Sequence, residues 1–154
     1  MSKKRLIDLY AYRIINGGVE FLLFKRAKGK IYEGQWRMIG GKVHPEETYW
    51  QGALRELKEE TGLTPVTFWT LPSVNTFYEH NSDTVHQIPA FAAELQPDSL
   101  PNLDDEHTEY RWFTLKEATE QVTWPEQQRL LGLAHRLITE NKILKDWHVS
   151  IPSS

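Results

Sequence analysis

The stretch Gly41-Lys42-Val43-His44-Pro45-Glu46-Glu47-Thr48-Tyr49-Trp50-Gln51-Gly52-Ala53-Leu54-Arg55-Glu56-Leu57-Lys58-Glu59-Glu60-Thr61-Gly62-Leu63 decides how the chain is read. From Glu47 to Thr61 it has no proline, carries good helix formers in its second half and runs into Gly62, a residue favoured just past a helix end. The spacing predicts a helix over 47–61. At about 100° per residue, Glu56, Glu59 and Glu60 share one face, and Trp50, Ala53, Leu54, Leu57 and Thr61 form a neighbouring face that can pack on a sheet. On a bare surface such like-charged neighbours repel by roughly a few tenths of a kcal/mol per pair. A hard divalent cation offsets them, since Mg²⁺ or Mn²⁺ takes a few carboxylates and leaves positions for water and phosphate. An isolated E-x-x-E-E is more often a solvated acidic face, so the reading rests on what surrounds it.

Upstream, Leu6 to Ile15 is apolar and rich in β-branched and aromatic residues, Asn16-Gly17-Gly18 supplies a tight turn, and Val19 to Lys25 is the return strand. A loop from Arg26 to Gln35 leads to a short apolar stretch, Trp36 to Ile39, and then to Gly40-Gly41, where the backbone can turn or approach a ligand. Between residues 25 and 42, Lys25, Arg26, Lys28, Lys30, Arg37 and Lys42 face the single acid Glu33, which suits a phosphate chain threaded between bases and metal. Downstream, Val66 to Tyr78 and Val85 to Leu95 read as extended segments joined at His80 to Asp83, with Pro72 and Pro89 marking edges or bulges. A loop from Gln96 to His107 precedes a short strand, Glu109 to Phe113. Thr114 and Glu117 have capping-box spacing for a short helix to about Val122, and Pro125 opens a final helix with a stripe at Leu130, Leu131, Leu133, Ala134, Leu137 and Ile138.

The 154 residues fit one domain, read as a single unit over 1–154. Hydrophobic residues at 40% and charged residues at 25% place the chain among ordinary globular proteins. With no cysteine, thiolate metal sites, disulfides and a cysteine nucleophile are excluded, so metal must sit on oxygen or imidazole. A net charge of −3 gives no long-range field for nucleic acid. No apolar run is long enough to span a bilayer, and the positive start lacks a cleavage signal, so a cytoplasmic protein is expected.

The quoted stretch resembles the box of the Nudix hydrolase family (MutT-like), Gly-x5-Glu-x7-Arg-Glu-U-x-Glu-Glu-x-Gly-U with U a bulky aliphatic residue. Gly41, Glu47, Arg55, Glu56, Leu57, Glu59, Glu60, Gly62 and Leu63 all match. At average residue frequencies such a coincidence arises on the order of 10⁻¹⁰ times per starting point. The resemblance implies an α/β (α+β) fold, an α/β/α sandwich around a mixed sheet, and water-driven displacement of one phosphoryl group from another. It also implies metal on Glu56, Glu59 and Glu60, with the carbonyl of Gly41 or Gly40 as a further ligand, and a Glu47–Arg55 pair that fixes the loop against the helix. The physics agrees, because a diphosphate would be repelled by three glutamates unless metal bridged them. A binding module that hydrolyses nothing usually lacks one of the box glutamates, and here all are present.

Glu106 to Phe113, with Thr123-Trp124 and Gln127-Gln128, is similar to the C-terminal part of the bacterial dATP and dihydroneopterin triphosphate pyrophosphohydrolases. That likeness implies Glu106 as metal ligand or general base, and conversion of a nucleoside triphosphate to monophosphate and pyrophosphate. Proline near Glu79, expected for ADP-ribose pyrophosphatases, and tyrosine near His80 or Asn81, expected for dinucleotide polyphosphate hydrolases, are missing, although Tyr78 is close. Arg26 is the best phosphate ligand, with Arg37 beside it, and Trp36, Phe77 or Tyr78 can stack on a base or pterin. The expected partner is a small-molecule nucleotide or pterin triphosphate, with homodimer formation allowed and neither stable nucleic-acid binding nor a membrane expected.

Overall fold

The computed structural model describes residues 4–152. Strands β1 (Leu6–Ile15) and β2 (Gly18–Arg26) form the expected hairpin, turning at Asn16 and Gly17 with φ of 52° and 77°. The short apolar stretch becomes two strands, β3 (Trp36–Arg37) and β4 (Ile39–Lys42), and the two long downstream segments become β5 (Thr67–Glu79) and β6 (Thr84–Glu94). β7 (His107–Phe113) begins two residues before the predicted strand, so Glu106 and His107 stand at its entrance.

The seven strands form one mixed sheet. Its main order is β3-β2-β1-β6-β5; β4 also pairs with β1, and β7 with β2. Among the described residues, only the β1–β6 pairing is parallel. β1 and β2 pair from Tyr12 and Phe21 to their turn; beyond those residues β4 takes the edge of β1 and β3 pairs with β2. That divergence brings Asp8, Arg26, Arg37 and Gly40 around one opening. Pro72 falls where the β5–β6 register shifts, and Pro89 stands one residue before β6 begins its pairing with β1, in keeping with proline's missing donor.

Helices cover both faces. α1 (Tyr49–Thr61) packs Ala53 and Leu57 onto Ile7, Leu9, Leu22 and Phe24. α2 (Leu115–Gln121) and α3 (Pro125–Thr139) cover Tyr10, Tyr12, Phe21 and Trp69 with Ala118, Leu130, Leu131 and Ala134. The expected α/β/α sandwich is thus observed. α1 starts two residues later than predicted because Thr48 caps it in a box with Gln51, and it ends at Gly62 with φ 75°. The Thr114–Glu117 box caps α2 as expected. After α3 the chain makes a single 3₁₀ turn at Lys145–Trp147, and Val149 N donates to Phe68 O on the β5 edge. No helix among the described residues is long and apolar enough to cross a membrane.

Candidate active site

Because Thr48 caps α1, Glu47 lies in the loop before it and reaches back over the first turns. Arg55 Nε donates to Glu47 Oε2 at 2.7 Å, Arg55 Nη2 donates to Lys42 O at 2.7 Å, and His44 N donates to Glu47 Oε1 at 2.9 Å. These bonds tie β4, loop and helix together, and the Arg55 guanidinium holds the Glu47 carboxyl below its ordinary range. Arg55 Nη1 also donates to Glu56 Oε1 and Glu59 Oε2, each at 3.0 Å.

The three helix glutamates therefore stand in different surroundings. Glu59 is the outermost, its side chain 57% exposed. Glu56 lies against Gly41 so closely that a Cβ there would be 2.4 Å from its carboxyl carbon. Glu60 points inward, its side chain 6% exposed and its Oε2 buried without a partner. Burial, then the adjoining Glu56 carboxyl, then Asp104, push Glu60 up to about 9. The cluster thus holds more acid than it can keep ionised without a positive partner. The residues fit a hard divalent cation, with Glu60 as its natural centre and glycine at position 41 leaving room for the Glu56 carboxyl.

Sequence reasoning missed His107. Its Nε2 lies 3.8 Å from Glu60 Oε1, and its Nδ1 lies 2.7 Å from Asp104 Oδ1. Arg26 Nη1, a donor only, is 3.3 Å from Nε2, so Nε2 accepts and Nδ1 carries the proton toward Asp104. Among the described residues, Glu60, Asp104 and His107 are the group whose ligand atoms lie within 4.8 Å of one another. The i, i+3 spacing of Asp104 and His107 was the available signal. Glu106 sits beside them: its Oε2 accepts from Arg26 Nη1 at 3.1 Å, and its carbonyl accepts from Ala27 N at 2.8 Å. Arg26 is thus held by Glu106 and by the Ile31 carbonyl at 3.1 Å, its guanidinium fixed at the end of the cavity that it lines.

A cavity of about 470 Å³ extends from this cluster across the opening between β1 and β2. Gly41, Lys42, Glu60, Glu106, His107 and Arg26 line one end; Tyr32, Arg37, Phe77 and Trp124 line the rest, over a floor of Asp8, Asn75 and Gln127. Arg37 stacks 4.1 Å above the Tyr32 ring, and Tyr32 has φ 63°, a left-handed conformation that costs a non-glycine residue roughly 1–2 kcal/mol. Phe77 meets Trp124 edge to face at 4.9 Å.

Two predicted stacking residues lie elsewhere. Tyr78 is the neighbour of Phe77 on β5, so alternation turns it to the other face, where it is 59% exposed and its hydroxyl donates to Asp83. Trp36 pairs with Lys25 and packs edge-on against Phe113 at 5.3 Å with Arg111 over its ring, on the flank of the core and not among the cavity residues. Trp124, which no pattern singled out as a ring for stacking, lines the cavity beside Phe77.

Comparisons with known proteins bear on this geometry. Residues 5–133 match the model of the NUDIX domain. The chain is 30% identical over 125 residues to an asymmetrical bis(5′-nucleosyl)-tetraphosphatase of Caenorhabditis elegans, covering 80% of this chain and 88% of that protein. It is 33% identical over 97 residues, 53% of this chain and 62% of the relative, to the oxidized purine nucleoside triphosphate hydrolase of Mus musculus. Among solved structures, a binary complex of the C. elegans Ap4A hydrolase superposes with a TM-score of 0.72 at 25% identity, covering 88% of this chain and 99% of that one. These relatives do not single out the dATP and dihydroneopterin triphosphate group that the C-terminal segment resembles. Since the family model runs from the residue before β1 into α3 and a hydrolase relative spans most of the chain, the protein belongs to the Nudix family and is a pyrophosphohydrolase by class.

Proposed function

We propose that the enzyme hydrolyses a nucleoside polyphosphate in a Mg²⁺- or Mn²⁺-dependent reaction, with phosphates at the Glu60 end of the cavity and the heterocycle between Tyr32, Phe77 and Trp124. The observation that carries this reading is the buried Glu60 carboxyl, its Oε2 without a partner, beside Glu56, Asp104 and His107 at one end of a cavity lined by aromatic rings. Glu56, Glu59 and Glu60 would hold the cation, with Asp104, His107 and the Gly41 or Gly40 carbonyl as further donors. When bound, it supplies charge neutralisation at the phosphates and acidifies the attacking water.

The chain's own residues do the rest. Arg55 and Glu47 hold the glutamate-bearing helix against the loop. Lys42 and Arg37 bring positive charge toward the phosphate path. Glu106, one oxygen fixed by Arg26, offers its other oxygen to take a proton from water. For a triphosphate, water oxygen bonds to the α-phosphorus, the bond to the α–β bridging oxygen breaks, and pyrophosphate leaves with that electron pair. The products are monophosphate and pyrophosphate.

A dinucleoside tetraphosphate is a second reading, favoured by the tetraphosphatase relative that matches 80% of the chain. Steady-state constants across nucleoside triphosphates, dihydroneopterin triphosphate, dinucleotide polyphosphates and ADP-ribose, with products separated, test both. The account expects cleavage of triphosphate or dinucleotide to a monophosphate. Preference for ADP-ribose, or orthophosphate from triphosphates, would overturn it.

A further inference from the structure

Among the described residues β5 is an outer strand of the sheet, so the backbone groups on its far side need partners that no strand supplies. Its upstream half has the segment after α3: Val149 N donates to Phe68 O at 2.8 Å, and His148 forms a bridge with Trp69. Past Pro72 the partners are side chains of α3. Arg129 Nη2 donates to Val74 O at 3.3 Å and to Ser73 Oγ at 3.0 Å, and Glu126 Oε1 accepts from Thr76 N at 3.5 Å. The two side chains are forked together, Arg129 Nε donating to Glu126 Oε2 at 2.8 Å and Nη2 to Oε1 at 3.1 Å. One residue thus offers a donor and the other an acceptor, as a neighbouring strand offers N–H and C=O. The Val74 carbonyl has the greater need, because the residue opposite it on β6 is Pro89, which has no N–H to give.

What these contacts hold is a wall of the cavity. Thr76 lies between Asn75 and Phe77, which both line it. Asn75 Nδ2 donates to Asp8 Oδ2 at 2.9 Å, and Gln127, the neighbour of Glu126, donates to the same oxygen through Nε2 at 3.1 Å. Trp124, just before α3, meets the Phe77 ring. The start of α3 therefore grips one short strand segment twice, by side chain at Asn75 and Phe77 and by backbone at Val74 and Thr76. With side chains 48% and 29% exposed, the Arg129–Glu126 pair adds little to global stability. Its effect is local, on two backbone groups that would otherwise be open to water.

We propose that Glu126 and Arg129 are positioning residues: they close the edge of β5 in place of a strand and hold Asn75 and Phe77 in the cavity wall, so that their loss weakens substrate binding without slowing the chemical step. This rests on the reading that the cavity takes a nucleoside polyphosphate, and it adds to that reading the residues that keep one wall in place.

The test has two readouts. Amide exchange followed by NMR needs no substrate: in the unaltered enzyme the Thr76 N–H should exchange at least about tenfold slower than an unstructured amide, and in Glu126→Ala and Arg129→Ala it should lose that protection while the β5–β6 ladder keeps its own. Steady-state kinetics, with whichever triphosphate or dinucleotide is cleaved fastest, should give a KM raised about tenfold in either variant, as follows if the held wall falls to about one molecule in ten, with kcat within about twofold. The double variant should be no worse than either single one, since the two residues act as a unit. Glu126→Gln, which keeps an oxygen for Thr76 N–H, should recover most of both effects, and Arg136→Ala, at an exposed position later on α3, should show neither. Unprotected Thr76 in the unaltered enzyme overturns the proposal even if no variant folds. So does a KM within about twofold of the unaltered value in both alanine variants, or a fall in kcat with KM unchanged. Lost protection in both variants with no cleavage of any polyphosphate would keep the clamp and remove the proposed reaction.

Discussion

Gly41→Ala is a small perturbation with an outcome that can be worked from distances. The added Cβ would lie 2.4 Å from the Glu56 carboxyl carbon and 2.5 and 2.8 Å from its two oxygens. Comfortable non-bonded carbon separations begin at about 3.5 Å, so the carboxyl must withdraw by about 1 Å. It is the end of a side chain, which spares the backbone, yet Arg55 holds it at 3.0 Å and the Glu60 carboxyl adjoins it. The expected cost to the fold is therefore small, about 1 kcal/mol. A misplacement of about 1 Å at a reacting centre lowers turnover about 100-fold. The assay is metal-dependent product release at saturating substrate, alongside a thermal melt. Gly132→Ala, in α3 with nothing within 4 Å of its Cβ, serves as control and should be neutral or stabilising by up to about 1 kcal/mol. Turnover of Gly41→Ala within twofold of the unaltered enzyme would refute the argument that this glycine exists to seat Glu56.

Other expectations follow from the same geometry. In chelator, Glu60 keeps its proton in the fold up to about pH 9 against an ordinary value of 4.5. The native state then binds more protons than the unfolded chain between those values, and metal-free protein should lose stability as pH rises through that window, by on the order of a few kcal/mol. Glu60→Gln should flatten this dependence in chemical-denaturation curves; an unchanged slope would contradict it. The same variant should lose about three orders of magnitude in turnover, and exposed Glu59→Gln less. Equal losses would place both carboxylates in equivalent roles. Glu106→Gln and Asp104→Asn should both lower kcat clearly while Asp105→Asn, which makes no bond to the site, does not; three equal and small effects would return the loop to a solvated role.

What the sequence could disclose was what lies close along the chain. Gly41 through Leu63 is one local unit, so its matching positions carried the fold, the Glu47–Arg55 pairing and the glutamate face together. The α1 boundary moved by two residues because Thr48, not Glu47, has the side chain that caps the helix. Tyr78 and Trp36 fall outside the cavity lining, a placement that ring identity does not disclose because it does not tell which way a strand residue points; one step along β5 separates Phe77 in the cavity from Tyr78 outside it. The floor was out of reach for another reason. Asp8 meets residues 67 and 119 positions away, a meeting made by the sheet order and the seat of α3. The one local hint was an acid set between the apolar Ile7 and Leu9 of β1, which is a conflict between pattern and burial that functional positions often show.

The central claim is that water, activated at the Glu60 cluster, breaks a phosphoanhydride of a bound nucleotide. Hydrolysis of GTP with Mg²⁺ in oxygen-18 water, followed by mass spectrometry of the separated products, tests it most directly. The account predicts one labelled oxygen in the nucleoside monophosphate, unlabelled pyrophosphate, and loss of both products in Glu60→Gln. Label in pyrophosphate or orthophosphate, or undiminished labelling in Glu60→Gln, would contradict it.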